Sequence, residues 1–457
     1  MPSNSAQENS SHNTLQTKAE FKELVRMTWP MLLGIISLMS FQLVDSVFIA
    51  RLGVEPLAVV GFTIPIYQMF IGIQVGIGIA TTALISQLLG ASKEQQAREL
   101  AGLIVLIGSS VFAILALIVW FLRSQIVQAL GGNAELMPFV DQFWAVWLVA
   151  AFCGAFVYFG YSICRANGNT LLPGFGMVAT SLINIALDPL YIFVFDLGLA
   201  GAAWATLSSF LLGALIIYPQ IFKRGWMIFT HLFDGVVKKT RSILHIALPA
   251  MTSQLLPALS SMLATFLVAS HGTQSVAAWG MGIRVEFFSI ILVLAMTMSI
   301  PPMIGKSYGA KDFDHIALLL KLAVKTLVIW QIFLAALLWL FEAPISHALT
   351  GNVEIAAILG WFLKYIPASY ALLGICMLLV SASNAISRPM DGLKMSFARL
   401  FVCYVPCMYL GSLIGDLPGL MVGAAIGNIF AGLASLWLFR RAFASARQTR
   451  LKHENPA

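Results

Sequence analysis

Two aspartates stand inside long apolar stretches of this sequence: Asp45, near the end of the first stretch, and Asp188, in the fifth. A carboxylate within a membrane costs about 2.5 to 3.5 kcal/mol on insertion scales, so it usually faces the protein interior or water and marks a functional site. Thr180, Asn184 and Asp188 are four residues apart and would share one face of a helix. This spacing predicts a polar stripe inside the bilayer.

The oxygens of these side chains are suited to binding a small cation. Thr206, in the sixth apolar stretch, is expected at a similar depth to both aspartates, in the outer half of the membrane. Together Asp45, Asn184, Asp188 and Thr206 would suit Na+, whereas two close carboxylates in a low dielectric would favour proton uptake. The ligand types alone do not choose between the two ions. Alternatively, these groups form a satisfied polar bridge that joins spans one, five and six.

Pro189 follows Asp188 directly and predicts a kink in the same helix. Proline has no N–H group, so the carbonyl of Ile185 loses its usual hydrogen-bond partner. A freed carbonyl beside two carboxylates would add an oxygen to the predicted cation site.

The elements that must position these residues are membrane-spanning helices. Of 457 residues, 59% are hydrophobic and only 10% are charged, against about 25% charged in an average soluble domain. Apolar stretches of about 20 residues recur along the chain, each long enough to cross a bilayer core. We count twelve, which predicts an all-α integral membrane protein. The five cysteines show no metal-ligand spacing and are interpreted as packing residues.

The basic residues predict the orientation of the chain. With the N-terminus inside the cell, 21 Lys and Arg residues fall on the inner side, against only Arg51 and Arg123 outside. Both termini are therefore predicted to be cytoplasmic, in a multi-pass protein of the cell inner membrane. Residues 1–20 are predicted to be a disordered tail, 223–243 a basic linker that can meet anionic lipid headgroups, and 442–457 a basic tail. No nucleic-acid partner is expected, because the excess charge belongs to these loops.

An internal repeat divides the sequence into two halves. A shift of 219 positions aligns Gly53 with Gly272 and Gly61 with Gly280, and six spans separate each pair. Both halves therefore enter the membrane in the same sense, an arrangement typical of transporters whose substrate lies between two lobes. The predicted six-helix lobes are residues 21–222 and 244–441, related by pseudo-symmetry.

Three segments carry a family resemblance: LVDSVFIARLG at 43–53, NIALDP at 184–189 and GLAGAAWAT at 198–206. They resemble the multidrug and toxic compound extrusion (MATE) family over nearly the whole chain. The resemblance implies a twelve-helix, two-lobed transporter that binds its coupling cation in the N-terminal lobe. It carries this role to Asp45, Asn184, Asp188 and Thr206.

The second half departs from part of the family pattern. Some members have acidic residues in spans seven and ten, where Pro257 and Ala368 stand here. The main charges left in the second half are Arg284, Glu286 and Lys364. Arg284 and Glu286 are two residues apart and do not face each other on a helix, so each needs its own partner. A structural ion pair or snorkelling is as open for them as a direct role in export.

Together these features predict a secondary active exporter rather than an enzyme. Abundant Met, Phe and Trp would give a cavity adaptable surfaces for varied shapes, and aromatic faces attract organic cations. We expect a monomer without an organic cofactor that exports amphipathic, often cationic compounds in exchange for H+ or Na+. A lipid-linked precursor flippase and an exporter of one metabolite are the alternatives. Lys321 and Lys325, near the inner end of span nine, are expected to snorkel.

Overall fold

Long helices joined by short turns make up the protein. A computed structural model describes residues 4–232 and 234–452, and this part of the chain contains no β-strand. Its α-helices, in chain order, are α1 (Asn4–Ala50), α2 (Val54–Gly90), α3 (Glu94–Phe121), α4 (Arg123–Ala129), α5 (Met137–Ala166), α6 (Leu171–Pro189), α7 (Gly198–Lys223), α8 (Val236–Ala269), α9 (Thr273–Ser289), α10 (Ile291–Gly309), α11 (Phe313–Leu340), α12 (Glu342–Leu349), α13 (Val353–Tyr365), α14 (Tyr370–Ala385), α15 (Pro389–Phe397) and α16 (Val405–Lys452). Two π-helical segments, Leu190–Val194 and Ala398–Tyr404, follow α6 and α15.

Eleven helical stretches of the described chain are long and apolar enough to cross a membrane. The last of them, Pro389–Gln448, has 60 residues, more than twice the length of about 20 residues that one crossing needs. Its backbone leaves the helical region at Gly415 (φ −144°, ψ 30°) and Asp416 (φ 51°, ψ −140°). This stretch therefore crosses twice, and the prediction of twelve transmembrane helices is confirmed.

Two compact units divide the chain. The N-terminal unit comprises Trp29–Met251. Its core includes a chain of aromatic rings in which Phe112 packs edge-on against Phe70 at 5.7 Å and against Phe159 at 6.0 Å between centroids. Trp144 is completely buried in the same core. These contacts tie α2, α3 and α5 together.

The C-terminal unit comprises the residues up to Thr28 together with those from Thr252 onward. The first half of α1 belongs to it because Leu24 is buried in its core and Thr28 Oγ1 lies 2.8 Å from Ser299 Oγ. Glu20 Oε2 also lies 3.1 Å from His315 Nε2, at the start of α11.

Helix α1 begins at Asn4, within the segment 1–20 that composition predicts to be disordered. No glycine or proline interrupts the sequence between Asn4 and Pro30, so nothing in the backbone stops the helix from extending. Likewise α16 continues to Lys452, within the predicted basic tail.

The repeat is visible in the turns. Helix α1 ends at Ala50 and α2 begins at Val54, whereas α8 ends at Ala269 and α9 begins at Thr273, in both cases 219 positions later. The glycine in each turn has a positive φ, 118° at Gly53 and 101° at Gly272. Residues with a Cβ atom rarely adopt this backbone conformation, which accounts for glycine at both positions.

Candidate functional site

Three helix ends of the N-terminal unit carry the predicted site residues. Asp45 lies five residues before the end of α1, Asp188 lies one residue before the end of α6, and Thr206 lies eight residues after the start of α7. At about 1.5 Å per residue these positions are within about 12 Å of the turns that follow or precede them. Asp45 and Asp188 thus lie near the C-terminal ends of their helices, and Thr206 lies near the N-terminal end of α7, the helix that follows Asp188 in the chain.

The end of α6 is irregular at Pro189. The chain continues from α6 into the π-helical segment Leu190–Val194, where the Phe195 N–H donates to the Leu190 carbonyl at 2.9 Å. The sequence predicts a kink at this proline, and the structure places a π-turn there. Such turns are rare and occur frequently at functional sites.

Gly201 lets α7 approach this π-turn closely. A Cβ atom at Gly201 would lie 2.7 Å from the carbonyl carbon and oxygen of Tyr191, closer than a side chain tolerates. The glycine in the GLAGAAWAT segment is therefore explained by packing, and its position brings Thr206 alongside α6.

Asn184 and Thr206 provide the hydrogen-bond partners around Asp188. With its NH2 group towards Asp188, the Asn184 amide donates to Asp188 Oδ2 at 3.2 Å and its oxygen accepts from the Thr206 N–H at 3.3 Å. In the opposite orientation the NH2 group donates to Thr206 Oγ1 at 3.3 Å. The first orientation is favoured because it pairs the amide donor with a carboxylate.

Both carboxylates keep a buried oxygen without a partner among the described residues. Asp188 is 0% exposed, and its Oδ1 atom makes no hydrogen bond. Asp45 is half-buried, and its Oδ1 atom is equally unpartnered. The two carboxylates are close enough to interact electrostatically. Asp45, Asn184, Asp188 and Thr206 are called the acidic site below.

Two residues near Asp45 were missed by sequence reasoning. Tyr67 of α2 lies within electrostatic range of Asp45, and Gln42 Nε2 lies 3.4 Å from the Tyr67 hydroxyl. Gln42 precedes Asp45 by three residues, so helical spacing could have indicated it. No pattern in the sequence relates Tyr67 to Asp45, because the two residues come from different helices.

Thr180 lies on the predicted stripe but bonds within its own helix. Its hydroxyl donates to the carbonyls of Gly176 at 2.9 Å and Met177 at 3.0 Å. Its methyl group packs where Gly213 of α7 leaves room. These contacts favour a packing role for Thr180.

The charges of the second half do not form one site. Arg284 and Lys364 are exposed, and Lys364 Nζ lies 6.0 Å from the Tyr365 ring centroid. Glu286 lies within electrostatic range of Arg399 and of two tyrosines. One of these tyrosines, Tyr370, interacts with Glu286 through its side chain. Arg399 Nε is buried without a hydrogen-bond partner among the described residues. Glu286, Tyr370, Arg399 and Tyr404 are called the Glu286 cluster below.

The acidic site can hold one positive charge. Two carboxylates in a low-dielectric environment repel each other, and an unpartnered buried oxygen is costly. A proton or a metal cation bound there would relieve both. In residues 4–232 and 234–452 no group of three or more His, Cys, Asp or Glu side chains is arranged to hold a metal ion.

Comparisons with known proteins place these features in a wider context. The family model MatE matches residues 30–190 and 249–410, one match in each half of the repeat. The FAD transporter of Shewanella oneidensis is 29% identical over 92% of this chain and 94% of its own length. The multidrug export protein MepA of Staphylococcus saprophyticus is 23% identical over 91% of this chain and 92% of its own.

A solved structure matches the whole arrangement of helices. The crystal structure of the MATE transporter VcmN of Vibrio cholerae, in its bent form, superimposes with a TM-score of 0.93 and 46% sequence identity. The match covers 94% of this chain and 99% of VcmN. The predicted fold of twelve helices in two lobes is thereby confirmed.

Proposed function

We propose that this chain, which belongs to the multidrug and toxic compound extrusion (MATE) family, exports small amphipathic, often cationic organic compounds in exchange for protons. Members of the family are transporters, so the chain is a multi-pass membrane transporter and not an enzyme. The coupling ion and the substrate are our proposals. The observation that carries them is the pair of unpartnered carboxylate oxygens at Asp45 and Asp188.

A proton fits the acidic site better than Na+ does. In the favoured orientation, Asn184 turns its NH2 group to Asp188, and its oxygen is occupied by the Thr206 N–H. The oxygens then left for a metal ion are mainly those of the Asp45 carboxylate and Asp188 Oδ1. Since Na+ is bound by several oxygens at once and a proton needs only one, the geometry supports proton coupling; Na+ is the alternative.

Pro189 and its π-turn supply the element that can respond to the charge. A ligand shifts a conformational equilibrium only if it binds the two states with different affinity. Protonation removes the repulsion between Asp45 and Asp188, so it favours a conformation in which α1 and α6 approach each other. We propose that this rearrangement is absorbed at the π-turn and weakens substrate binding.

Substrate class is proposed from the acidic charge of the site and from the relatives. A site with two carboxylates attracts organic cations. Export of drugs by this chain would agree with its similarity to the multidrug export protein MepA. The relative from Shewanella oneidensis, a FAD transporter, favours a second candidate, a flavin nucleotide. Because such a substrate carries phosphates, it would require basic side chains, which the acidic site lacks.

Orientation and assembly complete the proposal. The 21 to 2 distribution of basic residues supports cytoplasmic termini in the cell inner membrane. The acidic site would then lie in the outer half of the membrane. We further propose that the transporter acts as a monomer.

Transport by purified protein in lipid vesicles tests this function. The fluorescent cation ethidium and FAD are compared as substrates, each under an imposed proton gradient and, separately, an imposed Na+ gradient. We expect the proton gradient to drive ethidium transport and the Na+ gradient not to drive it. Movement driven only by Na+ would overturn proton coupling, and movement of FAD without ethidium would establish the second candidate.

A further inference from the structure

A cavity of about 650 Å³ lies within the C-terminal unit, between the start of α1 and one face of α11. Lys18 and Phe21 of α1 form one wall, and Lys325, Ile329, Trp330 and Phe333 belong to the opposite wall. The cavity is distinct from the acidic site, whose residues all belong to the N-terminal unit. It therefore needs an explanation of its own.

The α11 wall is long and mostly apolar. Its residues lie on successive turns and extend from Leu322 to Phe333, about 17 Å along the helix at 1.5 Å per residue. Ile329 and Phe333 are more than half exposed. In a membrane protein such an exposed apolar slot faces hydrocarbon rather than water, and its part beyond Lys325, about 12 Å along the helix, suits a segment of an extended alkyl chain.

Two lysines add positive charge to this apolar slot. Neither Lys18 nor Lys325 makes an ion pair with any residue of the described chain. Lys325 lies twelve residues after the start of α11, about 18 Å along the helix, where an unpaired cation is costly. Its flexible stem can carry the ammonium group away from the apolar wall.

We propose that this cavity binds one anionic phospholipid. The acyl chain lies along Ile329, Trp330 and Phe333, and the phosphate group lies between Lys18 and Lys325. The lysines repel organic cations, and the apolar wall disfavours a free inorganic anion. A lipid with an apolar chain and an anionic headgroup matches both the apolar wall and the lysines. Basic pockets between transmembrane helices are typical binding sites for such headgroups.

The bound lipid also fastens α1 to α11. The 3.1 Å contact between Glu20 Oε2 and His315 Nε2 and the burial of Leu24 already hold this part of α1 in the C-terminal unit. A phosphate shared by Lys18 and Lys325 adds a contact that depends on lipid charge. The protein is therefore expected to be more heat-stable with anionic than with zwitterionic lipid.

Native mass spectrometry of the detergent-purified protein tests the site. Phosphatidylglycerol and phosphatidylcholine with identical acyl chains are added in turn. The wild type should retain one phosphatidylglycerol at activation energies that remove phosphatidylcholine. The double variant Lys18→Gln with Lys325→Gln should lose this difference. Equal retention of both lipids by the wild type would overturn the proposal.

A matched control separates a built site from general surface charge. The double variant Lys306→Gln with Lys321→Gln removes the same charge from exposed lysines that do not line the cavity. It should retain phosphatidylglycerol as the wild type does. Ile329→Trp, which fills the slot and keeps both lysines, should also lose the lipid. Unchanged retention by Ile329→Trp, or equal loss in both lysine double variants, would contradict the proposal.

Discussion

The acidic site of the N-terminal unit and the Glu286 cluster of the C-terminal unit place carboxylates in opposite electrostatic surroundings. Asp45 and Asp188 interact with each other and have no basic neighbour among the described interactions. Glu286 lies in the field of the Arg399 guanidinium and near two tyrosines. A carboxylate near an arginine is partly compensated by the protein itself, whereas we propose that the pair in the acidic site takes up an external cation.

The repeat shows that a shared scaffold does not preserve a site. Asp45 aligns with Ala264, and Glu286 aligns with Tyr67, since 286 minus 67 is 219. Each unit has thus placed its carboxylate where the other has an uncharged residue. In contrast, the turn glycines Gly53 and Gly272 occupy equivalent positions in the repeat, and both have a positive φ. Helix packing is therefore common to the two units, and charge chemistry is particular to each.

Neutralising the acidic site should have the largest effect. Asp45→Asn and Asp188→Asn keep the side-chain shape but remove the charge that takes up the cation. We expect proton-driven ethidium export in vesicles to fall at least about tenfold in each, equivalent to about 1.4 kcal/mol or more. Glu286→Gln should retain most of the activity. Loss in Glu286→Gln together with retention in both aspartate variants would reverse the assignment of the two regions.

Asp196→Asn is the control for these variants. Asp196 lies eight residues after Asp188, is exposed, and has a positive φ of 53° that asparagine also tolerates. Asp196→Asn replaces a carboxylate by an amide, as the two test variants do, but outside the acidic site. We expect wild-type export from it.

Loss of the Asn184 amide should have an intermediate effect. Asn184→Ala leaves Asp188 Oδ2 without its 3.2 Å partner but keeps both carboxylates. The lost bond to a charged group corresponds to about 1.5 to 3 kcal/mol, so proton-driven export should be weakened. The pH dependence of ethidium export measures the change: its midpoint should move in Asn184→Ala and stay unchanged in Thr180→Val. An unchanged midpoint in Asn184→Ala would remove Asn184 from the acidic site.

The shared scaffold predicts parallel losses of stability in both units. A Cβ at Gly201 or at Gly423, its counterpart after a slip of three residues, would meet backbone atoms of a neighbouring segment. Alanine at either position should cost about 1 to 3 kcal/mol by overpacking, measured as a lower melting temperature in detergent.

Gly61 and Gly280 are the matched controls for these glycines. They align in the repeat, and neither has an atom within 4 Å of an added Cβ. Alanine there should not destabilise the protein, because it replaces glycine in a helix interior. A loss confined to one unit would show that the two units do not share their packing.

Thr180 is expected to give the smallest effect. Thr180→Val removes a hydroxyl that donates to carbonyls of its own helix and interacts with Tyr161, not with the acidic site. Ethidium export in vesicles should stay close to that of the wild type. A clear loss of export would place Thr180 in the acidic site after all.

Much of the fold and the four residues of the acidic site were predicted from sequence, but their neighbours from other helices were not. The spans follow from apolar length, and Asp45 and Asp188 stand out because charges are rare in such spans. Tyr67 and Arg399 could not be predicted, because each reaches its carboxylate from another helix and no spacing rule relates them. The extension of α1 to Asn4 was also missed, since polar composition gives no sign that Glu20 and Leu24 contact the C-terminal unit.

Proton release on substrate binding tests the central claim most directly. Ethidium is added to the purified protein in weakly buffered detergent solution, and the change in pH gives the protons released per ethidium bound. The wild type and Glu286→Gln should release about one proton each, because cation and proton compete for one charge. Asp45→Asn and Asp188→Asn should release none. Undiminished release from both aspartate variants, or its loss only in Glu286→Gln, would contradict the account.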